Sequence, residues 1–271
     1  MADIKTAAEV YQHGHHASVV SNHAKRTAET DAAFLLPELR PGMRLLDVGC
    51  GPGSITAGLA RRVAPGETVG IDASESVIDT ARSLRDPGLT SLSFEGGSIY
   101  QPRFAPQTFD AVFAHQVLQH LRRPVDALVQ MRTLVKSGGV IGVREADWGS
   151  TIFYPENEGM RGFLAMYYDL AHRNGGEPNA GRHLRRWFRE AGLTDVRVTT
   201  STTSYADAAA TRDWAHTYAE RTLHSNLAAK ALEYGIATRS NLESIAAAWR
   251  AWGDHPDATY VYCHTEVVAR V

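Results

Sequence analysis

Between positions 44 and 145 short apolar runs alternate with stretches in which apolar residues recur every three to four positions. The apolar runs predict strands at Arg44 to Val48, Thr68 to Ile71, Leu92 to Glu95, Phe109 to Ala114 and Val140 to Glu145. The recurring pattern predicts helices at Ser54 to Val63, Ser74 to Leu84 and Pro124 to Val135, with a KSGG turn before the last strand. Strand and helix in alternation imply an α/β fold with a parallel sheet covered by helices on both faces. Ahead of it, residues 5 to 36 carry helical periodicity, and Pro37, Pro41 and Gly42 mark its end. A helical N-terminal arm over 1–40 is expected.

After Trp148 the pattern changes. MRGFLAMYYDLAHR reads as an aromatic-rich helix and NGGEPNA as a loop; helix Arg182 to Ala191 and strand Asp195 to Thr203 then return to the sheet. Residues 207 to 251 read as helical, and TYVYCHTEVVARV closes the chain as a strand. The arm is thus followed by one domain at 41–271, with helical cap insertions at about 151–180 and 207–255. TIFYPE, FLAMYYDL and the segment bearing Trp214, Tyr218, Trp249 and Trp252 are expected to wall a pocket. If exposed, those C-terminal aromatics would also suit a homodimer.

Composition narrows the partners. With 44% hydrophobic and 21% charged residues, a chain of 271 has the make-up of one large folded domain. No apolar stretch approaches the roughly 18 residues that span a bilayer, and the start lacks a signal-peptide core, so a cytoplasmic location without membrane insertion is expected. Lys plus Arg (28) nearly balances Asp plus Glu (30), which disfavours nucleic acid and favours a small-molecule partner. The basic run GRHLRRWFRE reads as a solvated amphipathic helix. Cys50 and Cys263 are expected to be reduced thiols, and neither they nor His16 and His23, seven apart, have the companions a metal needs.

The chemistry centres on LLDVGCGPGSIT, residues 45 to 56. In a parallel sheet the ligand crevice lies beyond the strand C-termini, and Gly49, Gly51 and Gly53 would bring bare backbone there. The spacing is G-x-G-x-G, not the G-x-G-x-x-G of dinucleotide folds, and Asp47 would repel a pyrophosphate yet suit an ammonium group. Asp72 ends the second strand, 25 residues on, where a carboxylate can take both ribose hydroxyls. An amine, a ribose and no phosphate describe S-adenosylmethionine.

With LLDVGCGPG, VGIDASESVIDTAR, FDAVFAHQVLQHLRRPVDALVQMRTLVKSGGVI and GRHLRRWFREAGLTDVRV, the chain resembles the class I S-adenosylmethionine-dependent methyltransferases, particularly the ubiquinone/menaquinone-biosynthesis-like branch acting on small molecules. The resemblance implies a Rossmann-like fold with a mostly parallel seven-stranded sheet. It implies that Asp47, Gly49, Gly51 and Gly53 cradle the methionine moiety of S-adenosylmethionine, that Asp72 holds the ribose and that Ala73 lies beside the adenine. Ser98 and Ile99 match the pair that meets the adenine amino group; Ser98 departs from the usual Asp and loses charge assistance. His115 and Gln116 match positions at the methionine end, and Tyr11 and His16 would belong to an arm closing over the cofactor. By the same resemblance His120 in VLQHL and Asp147 in READW would be a catalytic base and its orienting carboxylate; His115 and Glu145 are further candidates by position. The reaction expected is methyl transfer to O, C or N of an aromatic or polycyclic metabolite, with S-adenosylhomocysteine as co-product. A non-methylating or scaffold protein that binds the same cofactor is the alternative, and an NAD(P)-dependent oxidoreductase stands behind it.

Overall fold

The computed structural model describes residues 26–271. Its parallel part follows the apolar pattern: β1 (Leu45–Val48), α2 (Ser54–Val63), β2 (Thr68–Asp72), α3 (Glu75–Leu84), β3 (Leu92–Gly96), β4 (Phe109–His115) and α4 (Pro124–Leu134), with α1 (Ala28–Asp31) before them. Every residue of β1 is buried, as expected of a strand sandwiched between two helical layers. Then come β5 (Val135–Tyr154), α5 (Glu158–Arg173), α6 (Ala180–Glu190), β6 (Val196–Tyr205), α7 (Ala208–His224), α8 (Asn226–Glu233), α9 (Arg239–Gly253) and β7 (Thr259–Arg270). The seven strands lie in the order β3-β2-β1-β4-β5-β7-β6, with β7 antiparallel to both neighbours. This is the Rossmann-like, mostly parallel seven-stranded sheet that was expected.

Two sequence expectations are corrected. Residues 26–40 are not one helix: Thr27 caps the single turn α1, and Leu36–Glu38 forms a separate 3-10 turn. These turns bury Ala28, Ala32, Leu35 and Leu39 against Leu45, Leu59 and Phe113, so tertiary packing decides their geometry. The second correction concerns β5, predicted to end at Glu145. It continues to Tyr154, pairing Asp147 with Cys263 and, beyond a register shift, Ile152 with Val261. Residues 151–154 are therefore sheet, and Ile152 (68% exposed) and Tyr154 (59%) point to solvent and not into a pocket.

The long strands divide the molecule into two storeys. Their lower halves pack with β1 and β4 against α4 and α6 around Leu46, Val112, Met131, Ile141 and Phe188. Their upper halves overhang the C-terminal ends of the parallel strands and join α5, α7, α8 and α9 around Phe163, Tyr167, Tyr218, Trp249 and Tyr260. Trp214, Tyr218, Trp249 and Trp252 are all buried in this upper core, so they do not offer the exposed surface on which a homodimer was expected. Among the described residues no helix is long and apolar enough to cross a membrane.

Candidate functional site

A cavity of about 1160 Å³ lies beyond the ends of β1, β2 and β4, beneath the overhang of β6 and β7. The glycine loop forms its floor. Gly49 and Gly53 have φ of +69° and +85°, and a Cβ on either would come within 2.4 Å of Val117 or Phe94, so close packing as well as the left-handed backbone demands glycine. Gly51, φ +55°, has nothing within 4 Å of where a Cβ would project. Its N–H donates to Asp72 (3.2 Å), whose other oxygen accepts from the Ser74 N–H at 3.0 Å.

Asp47 stands at the back of the floor, 2% exposed, with the Thr56 hydroxyl donating to it at 2.6 Å. Burial pushes its carboxyl up to about 7; the Thr56 bond pulls the other way and the charge of Asp72 adds to the rise. Among the described residues such a carboxylate has no countercharge. Ala73, Ser98 and Ile99 line the cavity on the β2 side, and His115 and Gln116 line it at the end of β4. The Ser98 hydroxyl accepts from the Tyr100 N–H at 3.3 Å. Tyr11 and His16 lie outside the described residues.

His115 and Gln116 belong to a polar network absent from the sequence expectations. Arg144, 4% exposed on β5, donates from Nη1 to His115 Nε2 at 2.8 Å and to Asp31 at 3.2 Å, and from Nη2 to the Ser201 hydroxyl at 3.3 Å; Glu266 lies 3.4 Å from its Nε. Because a guanidinium only donates, His115 accepts at Nε2 in this contact. Gln116, at φ +54°, accepts from Arg26 (2.8 Å) and donates to His264 Nε2 at 2.9 Å. Burial, with the charges of Arg144 and Arg26, pushes the His264 imidazole well below the usual histidine range.

The supposed dyad does not form. His120 does line the cavity, at the end of the 3-10 turn Leu118–His120, with Gln119 Nε2 3.2 Å from its Nε2. Asp147 is not on the cavity wall: it accepts from Arg182 Nε (2.7 Å), Nη2 (2.5 Å) and N–H (3.1 Å), fastening α6 to β5. The alternation of β5 that turns Trp148 toward the cavity turns Asp147 to the opposite face of the sheet. Burial pushes His120 down to about 3, the charge of Arg26 adding to it. Glu145, the other candidate, accepts the N–H groups of Val117 (2.8 Å) and Leu118 (2.7 Å) and so shapes the turn. Burial lifts its carboxyl to about 8 against those bonds.

The upper wall is aromatic, but not where TIFYPE and FLAMYYDL predicted it. Tyr205 and Trp214 stack with centroids 4.1 Å apart, Trp148 and Tyr262 lie 6.0 Å apart, and Tyr218 and Arg221 complete this end. Phe163 and Tyr167 of FLAMYYDL stand behind it in the core. Tyr205, Tyr262 and His264 escaped notice because β6 and β7 read only as closing strands; the alternation in YVYCH was the available signal.

Residues 39–192 match a family model described as a methyltransferase domain. The chain is also 34% identical over 269 residues, 95% of each chain, to an uncharacterized methyltransferase of Schizosaccharomyces pombe. The chain belongs to the class I S-adenosylmethionine-dependent methyltransferases. A probable methyltransferase of Aspergillus luteorubrus is 32% identical over 278 residues, 96% of each chain. Among solved structures, a putative methyltransferase of Bacillus halodurans shares the fold at TM-score 0.58 and 15% identity, covering 89% of this chain and 98% of its own. This methyltransferase therefore takes S-adenosylmethionine as its cofactor, and a nicotinamide oxidoreductase is set aside.

Proposed function

We propose that this methyltransferase acts on a small aromatic metabolite bound beneath the overhang, next to a cofactor lying on the glycine loop. One observation carries the reading: the loop and the aromatic wall line a single cavity of about 1160 Å³. Sites for one small ligand usually measure roughly 300–1,000 Å³, so this space suits two ligands in contact.

The floor fits the cofactor. An ammonium would supply the countercharge that the buried Asp47 does not find among the described residues. Each oxygen of Asp72 accepts one backbone N–H and keeps a lone pair for a ribose hydroxyl. The open space at Gly51 leaves the backbone bare for close approach. Ala73, Ser98 and Ile99 would border the adenine, and His115 and Gln116 the methionine end. When bound, S-adenosylmethionine supplies a methyl group on a sulfonium, ready for in-line displacement.

His120 and His264 then contribute placement more than proton transfer. His120 sits near pKa 3 and His264 is depressed as well, whereas an effective base has a pKa near the working pH. Moving a phenolic proton, pKa about 10, onto such a ring would cost roughly 10 kcal/mol. His120 and His264 are thus placed to orient the acceptor by hydrogen bonding and not to take its proton. Tyr205, Trp214, Tyr218 and Tyr262 offer ring faces for a planar substrate.

The test is incubation with methyl-labelled S-adenosylmethionine and a panel of phenols, aromatic acids and amines. Label is expected in an aromatic product. Tight binding of S-adenosylhomocysteine with no transfer to any acceptor would favour the scaffold reading instead.

A further inference from the structure

We propose that Arg221 anchors a carboxylate of the acceptor, so that the substrate class is an aromatic acid. The inference rests on the reading that the space beneath the overhang takes the acceptor.

Arg221 lies on α7, three residues beyond Tyr218 and seven beyond Trp214, so the three side chains share one helical face, and all three line the cavity. It is 4% exposed, yet its Nε and Nη2 find no hydrogen-bond partner among the described residues. Arg144, equally buried, shows what a satisfied arginine looks like here, with Asp31, Glu266, His115 and Ser201 around it. Arginine keeps its charge in proteins, and a buried charge left unpaired is strongly unfavourable. The guanidinium carbon sits over the Tyr218 ring, 5.1 Å from its centroid, and the group also acts on the Tyr218 hydroxyl as a hydrogen-bond partner, while neither Nε nor Nη2 is taken up by a partner on this wall.

Adjacent N–H donors in one plane match the two oxygens of a carboxylate. Nε and Nη2 are such a pair. The stacked Tyr205 and Trp214, beside them on the wall, would take the ring that bears the acid. Lys230, on the same wall, already holds Glu233 at 2.8 Å, which leaves Arg221 as the better anchor.

Calorimetry on the full chain saturated with S-adenosylhomocysteine tests this, using 2-naphthoate and its neutral isostere 2-naphthamide as probes. The acid is expected to bind about ten- to a hundred-fold tighter than the amide, the worth of hydrogen bonds to a charged group. Arg221→Met should erase that difference and Arg221→Lys most of it, with S-adenosylhomocysteine affinity unchanged in both. Equal binding of acid and amide by the unaltered protein would overturn the role of Arg221 while leaving the acceptor site standing. A preference that survives in Arg221→Met would do the same. Failure of both probes to bind the cofactor-loaded protein would overturn the aromatic-acceptor reading along with it.

Discussion

Replacing Asp47 with Asn should make the ligand-free protein harder to unfold and the cofactor harder to bind. Burial raises the Asp47 carboxyl from its ordinary 3.8 to about 7, which at about 1.36 kcal/mol per pH unit places the penalty of ionising it in the fold at no more than roughly 4 kcal/mol. Because the folded-state pKa is the higher one, stability is lost as pH rises from about 4 to about 7 and stays low above that. Asn keeps the shape, can still accept the Thr56 hydroxyl and carries no charge. The variant should therefore match the parent near pH 4 and exceed it near pH 8. At about 2–4 °C per kcal/mol for a domain near this size, the full effect would raise Tm by at most roughly 8–16 °C. Thermal melts from pH 4 to 8, with and without S-adenosylhomocysteine, read both halves: the ligand-free variant gains, and the ligand-induced increment shrinks as Kd rises about tenfold or more. A variant that melts below the parent at pH 8, or gains equally at pH 4, would refute the desolvation argument. Unchanged ligand affinity would remove Asp47 as the ammonium partner.

Other expectations can be checked alongside. His120→Gln should lower turnover by less than about tenfold, because a group near pKa 3 is not supplying the 10²–10⁴ of a working base; steady-state kinetics with the cofactor titrated separately would show this. Asp147→Asn should lower Tm through loss of the Arg182 bonds, by about 1–3 kcal/mol of stability, with calorimetric cofactor affinity unchanged. Gly53→Ala adds a Cβ 2.4 Å from Phe94 at φ +85°, so cofactor affinity measured by calorimetry should fall by about tenfold or more, with melting also lowered.

The parallel strands β1 to β4 were legible because each is a short, largely apolar run with turn residues near its ends. Leu45–Val48 and Thr68–Asp72 fall within a residue of where the pattern places them. The glycine loop was equally plain, since backbone requirements restrict residue choice. What escaped were features set by distant contacts. Trp148 to Tyr154 lacks a strand-like boundary signal after Glu145 and extends because β7 lies alongside to pair with it. The polar wall was hidden for a similar reason: Arg144, Gln116 and His264 come from three separate strands or strand ends, and only the sheet order makes them neighbours. The motif-based pairing of His120 with Asp147 failed on pleat parity, since neighbouring residues of one strand face opposite ways.

The overhang also fixes how the acceptor chamber can change in size. Its wall belongs to the ribbons β5, β6 and β7 that also pack the lower storey, so chamber depth is graduated in strand residues of about 3.3 Å. Removing one residue would swap inward and outward side chains, while a matched pair removed from each ribbon would preserve their facing and lower the ceiling by roughly 6.6 Å. Relatives built on this plan would then accommodate shorter or longer acceptors in even steps.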